Sequence, residues 1–385
     1  MNRDLLITSI SLLVWGLGEG LFFIFQPLYL QQLGADPLMI GGILGAVGLA
    51  MAAAQVPAGY LADRIGSRPL MWVAWVVGLL AAGGMALATT LPLFVIGMLL
   101  YSLTAFVSTP MNRYIAITRG KWGVGRSITF SAAFYNLGAV AGPFIGGLIG
   151  DRFGLRMVYL ISFFVFVIST AVIFFIRRDP KEHTTRDNSL PSLHQNPKFL
   201  ALLPFFFLTT LVLYLPQTLT PNFLQNERGI AYSQLGQLGS IGSIGIVVTF
   251  LVLGNLRPML GMLVGQLALA VFAVMIWQGK GFGWYAFGYF FIGGYRLARA
   301  MIVAFTRPVV APQQMGAAFG LVELVSALGV FFAANLGGWL YTAQPALLYL
   351  VSLVSGGGVI LLNLTALPGL LRKAEAQLVS PMEGE

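Results

Sequence analysis

Apolar residues run along this chain in blocks of about twenty, separated by short clusters of Gly, Pro and charge, without the one-sided periodicity of soluble helices or the alternation of half-buried strands. A block of that length crosses a hydrocarbon core of roughly 30 Å at about 1.5 Å per helical residue. The pattern predicts twelve spans, at about 5–30, 38–60, 70–90, 92–116, 127–150, 157–176, 199–223, 234–254, 258–277, 284–306, 316–340 and 346–367. All are expected to be helical, because an open sheet would leave backbone groups unpaired in lipid. The first apolar block, after Met1-Asn2-Arg3-Asp4, is longer than a signal-peptide core and lacks a small-residue cleavage pattern, so it reads as the first span.

One long polar stretch interrupts the pattern. Arg177 to Lys198 is rich in Pro, Ser, Thr and mixed charge, as a flexible linker is. The expected organisation is therefore an N-terminal six-helix bundle over 1–176, a cytoplasmic linker over 177–198, a C-terminal six-helix bundle over 199–367 and a cytoplasmic tail over 368–385. An offset of 191 maps Gly125, Gly138, Gly146 and Gly147 onto Gly316, Gly329, Gly337 and Gly338, a register consistent with two duplicated halves. The fold class expected is an all-α integral membrane protein of two pseudo-symmetric six-helix bundles.

Composition agrees. Of 385 residues, 57% are hydrophobic and 9% charged, too few charges for the surface of a soluble protein of this length. The net charge of +9 would suggest nucleic acid in a soluble chain, but here location decides. Of the 22 Lys and Arg, only Arg152, Arg156, Arg228 and Lys280 fall in outer loops and Arg296 and Arg299 inside a span, leaving sixteen on the inner side if both termini are cytoplasmic. The basic charge is a topology marker, and the expected location is the cell membrane. There is no Cys, and both His183 and His194 lie in the linker, so neither residue type is available within the membrane for catalysis, metal binding or proton relay. No P-loop or catalytic triad pattern is present, and no cofactor, metal or enzymatic activity is expected.

Between spans 2 and 3 stands Gly59-Tyr60-Leu61-Ala62-Asp63-Arg64-Ile65-Gly66-Ser67-Arg68. Gly59 permits close helix approach, Asp63 can pair with a cation or helix end, Gly66 supports a tight turn, and Arg64 and Arg68 anchor the inner face. The spacing resembles motif A of the major facilitator superfamily, and the resemblance implies that Gly59, Asp63, Arg64, Gly66 and Arg68 form a gating latch. The second-half counterpart, Gly254-Asn255-Leu256-Arg257-Pro258, is truncated and lacks the acid. In span 5, Gly138, Gly142, Pro143, Gly146 and Gly147 form a small-residue stripe suited to close helix packing. It resembles motif C, which implies antiport, although generic packing gives the same stripe. The Arg that proton antiporters of the superfamily carry within span 4 is not matched, since Arg113 falls near the inner end.

Four ionisable residues remain inside spans: Glu19, Arg296, Arg299 and Glu323. A charge at a helix centre costs about 2.5–3.5 kcal/mol, which marks each as a functional or pairing residue. At helical spacing Trp15, Glu19, Phe22 or Phe23, and Gln26 share a face, a carboxylate among aromatics and an amide. In span 10, Tyr285, Tyr289, Arg296 and Arg299 align similarly, and Arg299 and Glu323 lie at equal depth on consecutive helices, which predicts a structural ion pair. Span 7 offers Thr210, Tyr214, Gln217 and Thr218 beside Pro204, Pro216 and Pro221, whereas Phe205, Phe206, Phe207 and Tyr295 read as lipid or packing contacts. The resemblance implies that spans 1, 4, 7 and 10 line a central cavity. The expected site is thus Trp15, Glu19, Phe23, Gln26, Tyr214, Gln217, Tyr289 and Arg296 for substrate, with Glu19 and Glu323 for protons.

The sequence points to an alternating-access secondary transporter, acting as a monomer on a small amphiphilic or hydrophobic organic compound, with proton-coupled efflux as the first expectation. Uptake of a sugar or organic anion, with Arg296 as anchor, is the alternative within transport. A non-transporting membrane sensor is the alternative outside it.

Overall fold

A computed structural model describes residues 2–55, 58–177, 196–306, 309–310 and 314–367, with the side chains of 58–60, 63, 316 and 317 left aside. The linker from 178 to 195 and the tail from 368, including His183 and His194, lie outside the described residues. The described chain is helical. In order, α1 is Arg3–Phe23, α2 Gln26–Gln32, α3 Pro37–Gln55, α4 Ala58–Ile65, α5 Ser67–Leu87, α6 Leu91–Leu103, α7 Ser108–Ile117, α8 Val124–Phe153 and α9 Leu155–Ile173. There follow α10 Pro197–Tyr214, α11 Thr220–Arg228, α12 Tyr232–Leu253, α13 Pro258–Gln278, α14 Phe282–Phe290, α15 Gly293–Ala304, α16 Met315–Ala343 and α17 Leu347–Thr365. Among the described residues, eleven helical segments are long and apolar enough to cross a membrane. The twelfth span, 282–304, is divided into α14 and α15, each shorter than a full crossing.

Among the described residues, spans 1, 4, 7 and 10 are interrupted. The breaks are the turn at Ile24 and Phe25, the 3-10 segments Thr104–Val107 and Leu215–Gln217, and the turn at Phe291 and Ile292. Three have a proline cause. A proline removes one ladder N–H and its ring clashes with the carbonyl four residues back. Pro27, Pro110 and Pro221 place that carbonyl at Phe23, Phe106 and Gln217, at or inside each break. Span 10 has no proline and instead carries Gly293-Gly294, whose missing side chains let α15 meet α12 and α13 backbone to backbone.

The chain divides into two compact units. One takes the described part of 1–184 together with Leu219–Ile244; the other takes the described parts of 185–218 and of the chain from Gly245 onward. In the first, α8 packs along α1 through glycine: a Cβ on Gly142 would lie 2.6 Å from the Gly20 Cα, and Gly138 and Gly146 press on the carbonyls of Leu13 and Leu21. The opposite side of the same stripe, Gly147, meets Tyr232, Ser233 and Gly236 of α12. Asp151 closes this contact, accepting 2.9 Å hydrogen bonds from the backbone N–H groups of Tyr232 and Ser233 and so capping α12.

Pro143 lies inside α8 without ending it, and α12 supplies the missing bonds. Ser243 Oγ donates to the Ala139 carbonyl at 3.3 Å. Ser240 inserts its hydroxyl into the ladder, accepting from the Phe144 N–H at 3.1 Å and donating to the Val140 carbonyl at 2.7 Å. Backbone groups opened by the proline are thus satisfied within the span.

Candidate functional site

Each unit holds an intramembrane charge on which polar side chains gather. In the first unit it is Glu19, half-buried in α1. The Tyr135 hydroxyl of α8 donates to Glu19 Oε2 at 3.1 Å, and Tyr101, buried at 8% exposure, lies within electrostatic reach of the same carboxylate. The glycines around Glu19 make this possible. Gly16 lies against the Tyr135 backbone, Gly18 against the Phe166 ring and Gly20 against Gly142 and Pro143, so α8 and α9 come close enough to bring a tyrosine to the acid.

The face expected around Glu19 is not the one the structure builds. Trp15 packs inward, with its ring centroid 4.6 Å from Phe166, 4.9 Å from Trp75 and 6.0 Å from Tyr101, and its edge against Gly78. It is a packing residue, held there because the indole fills a hole that only glycine on α5 leaves open. Gln26 is buried at 6% exposure in α2, beyond the turn, and Phe23 is 52% exposed at the end of α1. The turn at Ile24 and Phe25 resets the helical phase, so an alignment drawn through an unbroken helix does not extend to Gln26.

In the second unit the centre is Arg299. Its guanidinium donates to Tyr295 Oη at 3.1 Å and forms an ion pair with Glu323 of α16. Tyr214 of α10 lies beside them, its ring 6.0 Å from that of Tyr295. Tyr295, which the sequence placed among lipid or packing contacts, therefore belongs to the polar centre. Gln217, in the 3-10 segment, donates to the Leu213 carbonyl of α10, 2.7 Å away. Tyr289 is buried at 4% exposure against Phe272 of α13, on the other side of the turn at Phe291 and Ile292, and does not share a face with Arg296 and Arg299. Arg296 is exposed and makes no ion pair or hydrogen bond among the described residues. No group of three His, Asp or Glu able to hold a metal occurs among the described residues.

Breaking the Arg299–Glu323 pair on one side leaves a charge in a poorly solvated place. Fully buried pairs lose about 3–5 kcal/mol in this way. Because these side chains keep 34% and 28% exposure, Glu323→Ala is expected to lower stability by about 1–3 kcal/mol. Adding Arg299→Gln should recover part of that loss, measured as unfolding midpoints in a double-mutant cycle.

At the motif between spans 2 and 3, Gly66 sits at φ +91°, a left-handed turn that glycine accommodates, directly ahead of α5. Arg68 lies over the Trp72 ring at 3.9 Å, Arg64 is exposed, and Arg113 of α7 donates to the Ala62 carbonyl at 3.4 Å, holding the C-terminal end of α4. The surroundings of Gly59 and the side chain of Asp63 are not among those described.

The sequence reading missed Tyr135 and Tyr101. A signal existed for Tyr135, a polar aromatic three residues before Gly138 on the stripe that faces α1. Tyr101 had none.

Residues 8–297 match the family described as the Major Facilitator Superfamily. The chain belongs to that superfamily of membrane transporters. It is 30% identical over 227 residues to the Escherichia coli multidrug resistance protein MdtG, covering 55% of this chain and 54% of that one. To the multi-drug resistance efflux pump PmrA of Streptococcus pneumoniae it is 28% identical over 196 residues, 49% of each. The chain thus spans about half the length of these curated relatives. Among solved structures it is similar in fold to the nucleoside transporter NupG, with TM-score 0.78 at 15% identity over 96% of this chain and 99% of that one. The human organic anion transporter MFSD10 has TM-score 0.68 at 14% identity, over 96% and 99%.

Proposed function

We propose that this chain exports small amphiphilic or hydrophobic organic compounds by alternating access, driven by protons that bind and leave Glu19. The observation that carries the reading is the half-buried Glu19 carboxylate, near the middle of the span that α1 and α2 form together and hydrogen-bonded by Tyr135. An acid retained at that depth against a cost of about 2.5–3.5 kcal/mol is suited to exchanging a proton with an aqueous pathway. The two multidrug relatives support the substrate class. Within each unit a broken span lies beside the intramembrane charge, span 1 at Glu19 and span 10 at Arg296 and Arg299, which supports the reading because broken helices at membrane depth occur where backbone lines a cavity. The sixteen inner basic residues support cytoplasmic termini, and a monomer is the working unit in this reading.

The test is flux in proteoliposomes. An imposed pH gradient is expected to drive accumulation of a lipophilic dye at least about tenfold above protein-free vesicles, and a protonophore should abolish it. Accumulation that ignores the protonophore would remove proton coupling. A sugar taken up in place of the dye would favour the import alternative.

A further inference from the structure

We propose that α15 carries a subsite for one negative charge on the transported compound, a carboxylate or sulfonate, with Arg296 as its anchor. The proposal rests on the transport reading above and deepens it by naming a substrate class: amphiphilic organic anions.

Depth comes first. Arg296 lies eight residues before the end of α15, roughly 12 Å along the helix at 1.5 Å per residue, in a core about 30 Å thick. A cation there is tolerated when it faces protein or a water-filled cavity.

The contacts of α15 fix which way it faces. Gly294 and Ala298 meet Gly265 of α13, and Met301 meets Gly261 of the same helix. Arg296 is two residues from both Gly294 and Ala298, roughly 200° around the helix, and so points away from α13. Gly293 meets Gly245 and Thr249 of α12 on one flank, and Tyr295 faces Tyr214 of α10 on the other. Arg296 therefore occupies the open arc between α12 and α10.

That arc is not a lipid face. Lipid-facing surface in this unit is marked by large exposed apolar side chains, such as Leu208 on α10, Leu251 on α12, Leu267 on α13, Phe332 on α16 and Leu361 on α17. Within α15 no large apolar residue is exposed, and its exposed position is the arginine.

Charge then selects the ligand. Arg299, one turn along, is already answered by Glu323 and Tyr295, whereas Arg296 has no ion pair or hydrogen bond among the described residues. The face carries two cations and one anion, so a single negative charge balances it. A guanidinium offers a planar fork of donors that matches a carboxylate or sulfonate. Tyr295, the neighbouring residue on α15, and Tyr214, whose ring is 6.0 Å from that of Tyr295, suit the apolar body of such a compound. A phospholipid headgroup has the same charge, but it sits at the membrane surface, about 12 Å from Arg296 by the same count.

The experiment uses the full chain in phosphatidylcholine vesicles and three naphthyl compounds of one skeleton: a carboxylate, its methyl ester and an ammonium. Wild type is expected to transport the carboxylate. Arg296→Gln should raise its half-saturation concentration about 10–100-fold and leave the ester within about twofold, while Arg296→Lys recovers part of the loss. Equal loss for carboxylate and ester, or loss for neither, overturns the proposal. Binding is read separately as thermal stabilisation in detergent, with the carboxylate expected to raise the midpoint of wild type and not of Arg296→Gln. Stabilisation by anionic phospholipid with none by the carboxylate also overturns it. Retained carboxylate stabilisation with no flux of any compound keeps the subsite and removes the transport reading.

Discussion

Replacing Glu19 by Gln is expected to reduce pH-gradient-driven accumulation to the level of protein-free vesicles, a loss of about tenfold or more, while unlabelled-for-labelled substrate exchange stays within about threefold of wild type. The substitution keeps the size of the side chain and an oxygen that can accept the 3.1 Å hydrogen bond from Tyr135. It removes the single property at issue, the ability to gain and lose a proton. Exchange reports whether the binding region and the rocking of the helices survive, and accumulation reports whether a proton is coupled to them. Loss of both would make Glu19 a structural residue, and retention of both would place the coupling acid elsewhere. Glu323→Gln is the companion measurement, since Glu323 is engaged by Arg299 in the second unit. With a proton site at Glu19, Glu323→Gln should weaken stability more than coupling.

The fold was legible because so little in the chain resists the bilayer. With 9% charge, each Lys, Arg, Asp or Glu marks either a membrane face or an intramembrane site, and counting them yields topology and candidate residues together. Depth arithmetic puts Arg299 opposite Glu323, because consecutive antiparallel helices share a rise of 1.5 Å per residue. Side-chain faces were legible only as far as the next break. Trp15 and Gln26 align on a continuous α1, as do Tyr289 and Arg296 on a continuous span 10, but turns at Ile24–Phe25 and Phe291–Ile292 alter the phase between them. The first turn had a marker in Pro27, four residues past Phe23; the second is made by tertiary contact of Gly293 and Gly294, which sequence spacing does not reveal. The Tyr135–Glu19 bond joins residues 116 positions apart, and it exists because glycines on both helices let the backbones close.

That closeness carries the second large effect. Gly142→Val is expected to abolish accumulation of folded protein, and Gly142→Ala to lower the unfolding midpoint by the equivalent of about 2–3 kcal/mol, the upper part of the range for overpacking. A Cβ at Gly142 would lie 2.6 Å from the Gly20 Cα and 2.7 Å from the Leu17 carbonyl oxygen. Both are backbone atoms of α1, and neither can rotate away as a side-chain tip would. Moving α1 back would open the Tyr135–Glu19 bond and the Ser9–Ser131 contact of 3.0 Å between the same helices. Gly84 in α5 supplies the opposite expectation. A Cβ there meets nothing within 4 Å, so Gly84→Ala should stabilise by about 0.5–1 kcal/mol through the lower backbone entropy of the unfolded chain. Opposite signs for one chemical change at two helical glycines separate packing from propensity. A Gly142→Ala variant as stable as Gly84→Ala would mean that α1 and α8 do not rest on each other at this stripe.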